Sequence, residues 1–401
     1  MRIVRVYHAG RDGAHRARER ALVALGVELR LIVPRSWPER DNGIEGDTFE
    51  IVELDVQRPG DVNRHTYADG SALRRAIEGF APDIVDVHEE PFSLVTRQVL
   101  RCTDRPIVMY TAQNLDKRWP PPFLGIRREA YSRVRAFYPC SRQAASVLRG
   151  SGYAGTIVPL PLGIDTTVHY PGTQSLTDGV VLGFVGRLVP EKGLLDAITV
   201  AAEVGALLLV AGSGPQEAEG RELATRVGAR VEWHPWVDAM ALAGLYRRMH
   251  VVLVPSRATT TWVEQFGRVI TEGWANGVVP VGFGSGSIPE VVGDAGRTVT
   301  EGDVSALVDA ARTASSDPTW SALRSAGIAR AGGLFWEAVA VAQAALYVDS
   351  AAPPAANTVG RVAARQEWGP TASTSLSTRP FALPVLRDSR PLHQLADRFL
   401  S

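Results

Sequence analysis

Short runs of apolar, β-branched residues alternate with amphipathic stretches of helical length along most of the chain. Two of the helix candidates lie at 14–26 and 141–152, and the second is closed by glycine. The first-half runs that read as strands are 2–7, 27–34, 49–54, 83–88, 106–111, 136–141 and 155–161. Strands that alternate with helices predict a parallel sheet covered by helices on both faces.

The alternation pauses in a polar, turn-rich stretch at 165–179 and then starts again. The second series of predicted strands is 180–186, 206–212, 230–235, 251–256 and 278–283. We therefore predict an α/β protein with two Rossmann-like, doubly wound domains that face each other across a cleft. The predicted divisions are an N-terminal domain at 1–168, a linker at 169–179, a C-terminal domain at 180–333, a closing helix at 334–350 and a Pro/Ala/Ser-rich tail at 351–401.

Composition narrows the class of protein. The formal net charge of the 401 residues is zero, which gives no basic field for binding nucleic acid. Cys102 and Cys140 belong to no metal motif and are too few for a disulfide framework, so we expect buried thiols in a reducing compartment. The N-terminus turns polar within about six residues and no apolar window reaches about 18 residues. The sequence therefore predicts a cytoplasmic protein, with membrane contact not favoured.

The loop GRLVPEKG carries two cations beside a predicted helix start. Only Lys117 and Lys192 of the 43 basic residues are lysines, so a lysine retained in this loop stands out. Arg187 offers a planar guanidinium and Lys192 a compact ammonium, which together suit a diphosphate. The alternative is an ordinary turn with two solvated cations, one of them paired with Glu191.

A second constellation follows the predicted strand at 251–256. Glu264 precedes a helix that we expect to begin near Gly267, and Glu272 lies more than one turn inside it. The amides of Phe266, Gly267 and Arg268 then point out of the helix N-terminus and form an anion cradle between two carboxylates. This arrangement suits a nucleoside diphosphate sugar.

Four motifs of the second half resemble, in order and spacing, the C-terminal domain of glycosyltransferase family 4, which comprises retaining enzymes of the GT-B fold. The motifs are GRLVPEKG, AGSGP, VPSR followed by EQFGRVITE, and GSIPEVVGDAG. The resemblance implies donor pyrophosphate at Arg187 and Lys192, donor sugar at Glu264 and ribose at Glu272. It also places Trp236 and Val237 near the nucleobase, although Trp236 is equally well interpreted as a core aromatic.

The N-terminal half resembles the family less closely. Its loop after the first strand stands where such enzymes close over donor and acceptor. The candidates there are Gly10 for the donor and, for the acceptor, Arg11, Asp12 and His15. The alternative for His15, and for His8 before it, is a helix-capping or surface histidine.

The family usually has a histidine shortly after the fifth strand, where it contacts the donor sugar. This chain has Gln113 and Asn114 at that point. An amide can bind a sugar hydroxyl but cannot carry a proton, so a mechanism that needs histidine there is in doubt.

These observations together predict a retaining glycosyltransferase that uses a nucleoside diphosphate sugar, with Arg187, Lys192 and Glu264 as catalytic residues. No metal and no further cofactor is expected, because the cations serve the leaving diphosphate. A sugar-nucleotide epimerase of the same fold is an alternative. A nicotinamide oxidoreductase is not favoured, because the chain lacks the GxGxxG fingerprint that such an enzyme needs. A non-catalytic binding protein of two lobes is not favoured either, because it would normally be secreted and no signal peptide is recognised.

The acceptor is the least defined part of the prediction. The stretch 118–138 mixes aromatic residues with arginines on a probable helix of the acceptor domain. It suits either an anionic membrane with a lipid acceptor or a surface helix with its apolar side in the core. We expect a small soluble natural-product or metabolite acceptor, with a glycolipid of the cell envelope as the alternative.

Overall fold

The computed structural model describes residues 1–38, 46–117, 119–235 and 237–352. Two parallel sheets organise this part of the chain, one in each half. The predicted tail falls, from residue 353 onward, outside the described residues. Within the described ranges no helix is both long enough and apolar enough to cross a membrane.

The first sheet contains seven parallel strands in the spatial order β3-β2-β1-β6-β7-β8-β9, and β4 pairs with β5 in a small antiparallel ribbon. Their bounds are β1 Arg2–Val6, β2 Glu28–Pro34, β3 Glu50–Leu54, β4 Val56–Gln57, β5 Thr66–Tyr67, β6 Ile84–Val87, β7 Ile107–Thr111, β8 Val134–Pro139 and β9 Thr156–Ile157. All four residues of β6 are buried, as expected for a central parallel strand covered on both faces.

The second sheet has the spatial order β12-β11-β10-β13-β14-β15, again entirely parallel. Its strands are β10 Val181–Val185, β11 Leu207–Ala211, β12 Arg230–His234, β13 Val251–Val254, β14 Val279–Phe283 and β15 Arg297–Val299. The sequence predicted five of these and missed β15, because this three-residue edge strand leaves two of its side chains exposed and carries no apolar run.

Helices connect the strands on both faces. Their bounds are α1 Ala17–Ala24, α2 Gly70–Glu78, α3 Leu94–Cys102, α4 Phe123–Arg133, α5 Arg142–Gly150, α6 Leu194–Val204, α7 Glu217–Val227, α8 Ala239–Tyr246, α9 Arg268–Ala275, α10 Ile288–Val292, α11 Val304–Ala314, α12 Thr319–Gly332 and α13 Trp336–Ala351. The helix predicted at 14–26 starts only at Ala17, because two 3₁₀ turns, His8–Arg11 and Gly13–His15, come first.

The closing helix α13 returns to the N-terminal half and packs beside α1. Tyr347 on this helix accepts a hydrogen bond of 2.7 Å from Nη2 of Arg5 and also contacts the carboxylate of Asp86. Gln343 donates to the same carboxylate at 3.1 Å. Because these groups are buried, the helix is fixed to the first sheet by a polar network as well as by apolar contacts.

The chain crosses between the two halves at two adjacent places. The amide of Ile164 donates to the carbonyl of Leu334 at 2.8 Å, and the amide of Trp336 donates back to Ile164 at 3.2 Å. A Cβ on Gly163 would lie 2.2 Å from the Trp336 ring, so the two crossings are in close contact.

A buried apolar cluster joins the halves next to these crossings. Cys140, directly after β8, shares this cluster with Phe266 and Ile270 of the second half. Loops at the carboxyl ends of strands in both sheets therefore meet, which is where ligands bind in open α/β sheets. Both cysteines are free and buried, as predicted.

Candidate active site

The loop after β10 is shaped by two glycines. Gly186 has φ 148° and Gly193 has φ 76°, and Gly193 caps α6 directly after the 3₁₀ turn Pro190–Lys192. A Cβ on Gly193 would lie 2.2 Å from the carbonyl oxygen of Pro255. The loop that carries Lys192 is therefore pressed against the chain that leaves β13, and only glycine permits the approach.

Lys192 is paired with Glu264 in this contact. Its Nζ lies 2.6 Å from Oε2 of Glu264, and both side chains are largely buried, with 20% and 11% exposed. Ser256 donates to the same carboxylate oxygen at 3.3 Å. The centre of the Trp262 ring lies 4.9 Å from the ammonium of Lys192, which is a cation–π contact.

Arg187, the second predicted cation, is held much more loosely. Its side chain is 63% exposed, and the nearest carboxylate, Glu191, lies 3.7 Å away. Exposed pairs of this kind contribute about 0–1 kcal/mol. Arg187 is therefore able to turn towards a ligand at little energetic expense, whereas Lys192 is already fixed.

Helix α9 begins where the sequence predicts it. Gly267 has φ 80° and precedes the first helical residue, Arg268. Glu264 lies in the loop before the helix and Glu272 lies inside it. Phe266 is buried in the cluster that joins the halves, so its side chain anchors the helix N-terminus there.

Glu272 is buried between two partners. Arg268 approaches one carboxylate oxygen at 2.7 Å, and the hydroxyl of Tyr246 donates to the other at 3.3 Å. The charge of Glu272 is the main cause that raises the pKa of Arg268. Burial, together with Glu272, raises the pKa of Tyr246 well above its usual value, so that the hydroxyl stays protonated and keeps donating.

Of the two residues predicted near the nucleobase, Trp236 lies outside the described residues. Val237 is partly buried and packs against the cluster that includes Leu245 and Tyr246. Since Tyr246 contacts Glu272, Val237 belongs to the same side of the second sheet as the predicted ribose carboxylate.

The first loop of the N-terminal half is internally braced. Gly10 is buried, and a Cβ there would lie 3.0 Å from Tyr7 and 3.1 Å from Leu31. Arg11 forms an ion pair with Glu53. These contacts hold the loop in its shape.

Asp12 caps the second 3₁₀ turn by accepting a hydrogen bond of 2.9 Å from the amide of Ala14, and His15 ends that turn half-buried.

The structure separates the two amides that replace the family's histidine. Asn114 is 5% exposed and its Nδ2 donates to the main-chain carbonyl of Glu264 at 2.8 Å. Gln113 instead donates to Leu115 in its own loop. Asn114 therefore links the N-terminal half directly to the glutamate that also holds Lys192.

Two glycine-loop residues that the sequence did not assign to the site also support Glu264. The amide of Ser287 donates to the Glu264 carbonyl at 3.1 Å, and a Cβ on Gly286 would lie 2.4 Å from the same oxygen. The motif GSIPE was noticed only as part of a resemblance, because its contact with Glu264 spans more than 20 residues and leaves no local pattern. The sequence also did not assign Ser256, which donates to Glu264 from eight positions away, or Trp262, whose ring contacts Lys192 from 70 positions away.

Two parallel-sheet α/β units whose carboxyl-terminal loops meet, with a glycine-rich loop and a helix N-terminus at their junction, correspond to the GT-B fold. The chain belongs to the family 4 glycosyltransferases. The family model "Glycosyltransferase Family 4" matches residues 19–168, and "Glycosyl transferases group 1" matches residues 179–317.

Curated relatives share part of their length with this chain. A GDP-mannose-dependent monoacylated alpha-(1-6)-phosphatidylinositol monomannoside mannosyltransferase of Corynebacterium glutamicum is 32% identical over 37% of this chain and 43% of its own length. A 2-deoxystreptamine N-acetyl-D-glucosaminyltransferase of Streptomyces fradiae is 29% identical over 34% of each chain. The chain thus spans less than half the length of these relatives.

The fold itself is matched over a much larger part. The structure of Anabaena HepE, solved in complex with UDP, superimposes with a TM-score of 0.70 over 87% of this chain and 100% of its own, at 18% identity. This agreement confirms the predicted two-domain α/β architecture.

Proposed function

We propose that this chain is a retaining glycosyltransferase that moves a sugar from a nucleoside diphosphate sugar to an acceptor. The contact between Lys192 and Glu264 carries the proposal, since it puts an ammonium and a carboxylate side by side. Lys192 lies two residues before the start of α6, and Glu264 lies three residues before the glycine cap of α9. A diphosphate needs cations and amide donors, and the sugar attached to it needs a hydrogen-bond acceptor and negative charge.

In this proposal the leaving diphosphate is bound by Lys192, by Arg187 once it turns away from Glu191, and by the amides of Phe266, Gly267 and Arg268. These fixed donors stabilise the charge that develops as the glycosidic bond breaks. Phosphate oxygens share the ammonium with Glu264, because a lysine has three donors. No metal ion is required for this step.

Glu264 orients the sugar and supports positive charge at the anomeric carbon, while Glu272 accepts hydrogen bonds from the ribose. Retention follows if the acceptor attacks the same face that the diphosphate leaves, with the departing phosphate taking the acceptor proton. Asn114 keeps the Glu264 main chain in position and supplies no proton transfer, in keeping with an amide side chain.

A small soluble acceptor suits the N-terminal half best. The N-terminal half contains a cavity of about 340 Å³ lined by Asp61, Asn63, Arg64, Trp119, Pro120 and Phe123. Its size and mixed polar and aromatic lining fit a single polar ring. The Streptomyces relative is named for a small aminocyclitol acceptor, while the Corynebacterium relative is named for a phosphatidylinositol glycolipid.

A donor screen tests the proposal. Thermal shift with UDP, GDP, ADP and TDP identifies the nucleotide, and turnover of its sugars is then followed with small polyol and aminocyclitol acceptors. NMR of the product should show an unchanged anomeric configuration. Conversion of the sugar nucleotide without any acceptor would indicate an epimerase, inversion would refute the retaining mechanism, and selective retention on anionic liposomes would favour a glycolipid acceptor.

A further inference from the structure

Two histidines and a glutamate that the proposed diphosphate site does not use converge in the N-terminal half. His8, His65 and Glu89 each offer one ligand atom, and these atoms all lie within 4.8 Å of one another. His8 follows β1 and Glu89 follows β6, which pair as neighbours in the first sheet, while His65 directly precedes β5. The same edge of the sheet therefore collects ligands from three separate segments.

The environment of the His65 side chain gives the strongest evidence for a ligand at this cluster. Its side chain is fully buried and its Nδ1 lies 3.1 Å from the carbonyl oxygen of Asp61. A carbonyl only accepts hydrogen bonds, so Nδ1 holds the proton and Nε2 presents a bare lone pair. That Nε2 is buried without a hydrogen-bond partner. A histidine whose Nδ1 donates to a main-chain carbonyl while Nε2 stays open has the arrangement found in metal-ligating histidines.

The carboxylate of Glu89 is also buried and held in one orientation. It is 4% exposed, and one of its oxygens accepts a hydrogen bond of 2.7 Å from the main-chain amide of His8. The other oxygen lies 2.7 Å from Nδ1 of the same histidine. The carboxylate is thus fixed in orientation, and a metal ion would replace the proton shared between Glu89 and His8.

We propose that His8, His65 and Glu89 bind a divalent transition metal ion, with Zn²⁺ as the best match to the donor set. Two imidazole nitrogens and one carboxylate oxygen suit Zn²⁺, whereas Mg²⁺ takes oxygen ligands. Tetrahedral bonds of about 2.0–2.1 Å place ligand atoms about 3.3 Å apart. The longer separations must therefore shorten on binding, which small changes in side-chain torsion angles provide.

Three protein ligands leave a fourth coordination position open. His8 is the most exposed of the three, at 15%, so the open position lies on its side. His8 shares the 3₁₀ turn His8–Arg11 with two predicted ligand residues of the cleft. The ring of Trp37 lies 4.7 Å from His8 and 4.9 Å from His65 and supplies an apolar wall. The ion thus ties this loop to the sheet and offers a coordination site beside the cleft, independently of the proposed sugar transfer.

Metal titration of the full chain tests the site. EDTA-treated protein is titrated with Co²⁺, whose visible absorption reports tetrahedral coordination, and Zn²⁺ is then added as competitor. The variants are His65→Gln and Glu89→Gln. His234→Gln is the matched control, because His234 lies 2.8 Å from Glu232 but the pair belongs to no three-ligand group among the described residues.

We expect one equivalent of Co²⁺, displaced by Zn²⁺, and binding weaker by at least about 10-fold in both site variants. The control should bind like the wild type, and Zn²⁺ should raise the melting temperature of the wild type more than that of the two site variants. Absence of saturable binding by the wild type, or equal binding by Glu89→Gln, would overturn the proposal. If His65→Gln fails to fold by circular dichroism, Glu89→Gln alone decides, since it keeps the size of the side chain.

Discussion

The side-chain amide of Asn114 donates a hydrogen bond of 2.8 Å to the main-chain carbonyl of Glu264, 150 positions later in the chain. It is a direct polar contact between the two halves at the candidate active site. Through it, a residue of the loop after β7 in the first half positions the loop whose carboxylate holds Lys192 in the second half.

Asn114→Asp is expected to lower the free energy of unfolding by about 2 kcal/mol, because the change replaces a buried donor with an oxygen facing a carbonyl. Asn114→Ala removes the donor without adding repulsion, so a loss of about 1 kcal/mol is expected. Urea denaturation measures both, and transfer should slow in the same order. Equal stability of Asp and wild type would show that the bond contributes nothing.

Lys192→Ala should reduce kcat by about 10²- to 10³-fold, since it removes a fixed cation that stabilises the leaving diphosphate. Lys117→Ala is the matched control, because Lys117 is exposed and is the only other lysine of the chain. Steady-state turnover with the donor found by screening measures the effect, and circular dichroism checks the fold. Near-normal turnover of the Lys192 variant would assign that lysine a structural role.

Tyr347→Phe should destabilise the protein by about 1–3 kcal/mol, because the Arg5 guanidinium and the Asp86 carboxylate each lose a buried partner. Tyr170→Phe serves as the control, since Tyr170 is 51% exposed and its ring is retained, and it should change stability by less than about 0.5 kcal/mol. Denaturant unfolding compares the two. A similar small effect in both variants would argue against a stabilising network under α13.

Burial lowers the pKa of His169 below its usual value of 6.5, and nearby arginines lower it further against the opposing charge of Glu272. Its Nδ1 accepts a hydrogen bond of 2.8 Å from Asn276, which also requires the unprotonated ring nitrogen. The unfolded chain therefore binds the proton more readily, so stability is lost as pH falls below about 6.5.

His169→Gln tests this pH dependence, because its amide oxygen can still accept from Asn276. Unfolding free energies measured at pH 7.5 and pH 5.5 should differ less in the variant than in the wild type. An equal difference in both proteins would mean that His169 does not contribute to the pH dependence.

Several elements were predictable because their signals are local. The glycine that begins α9 and the glycine that caps α6 stand next to apolar runs, so the sequence places both helix starts correctly. The central strands were predictable too, because each of them is a continuous apolar run in the sequence. Edge strand β15 has no such run and was missed. The grouping of His8, His65 and Glu89 was not predicted either, because these residues share no local spacing.

The sequence by itself determined the α/β class, the two sheets, the glycine-shaped loops and the family, since all of these depend on periodicity and on motifs within a few residues. Only the tertiary structure decided that Lys192 contacts Glu264, that Asn114 rather than Gln113 reaches this glutamate, and that α13 packs on the first sheet. These pairings depend on how the two halves meet. That arrangement depends on packing between residues far apart in the sequence, so it cannot be predicted from a local pattern.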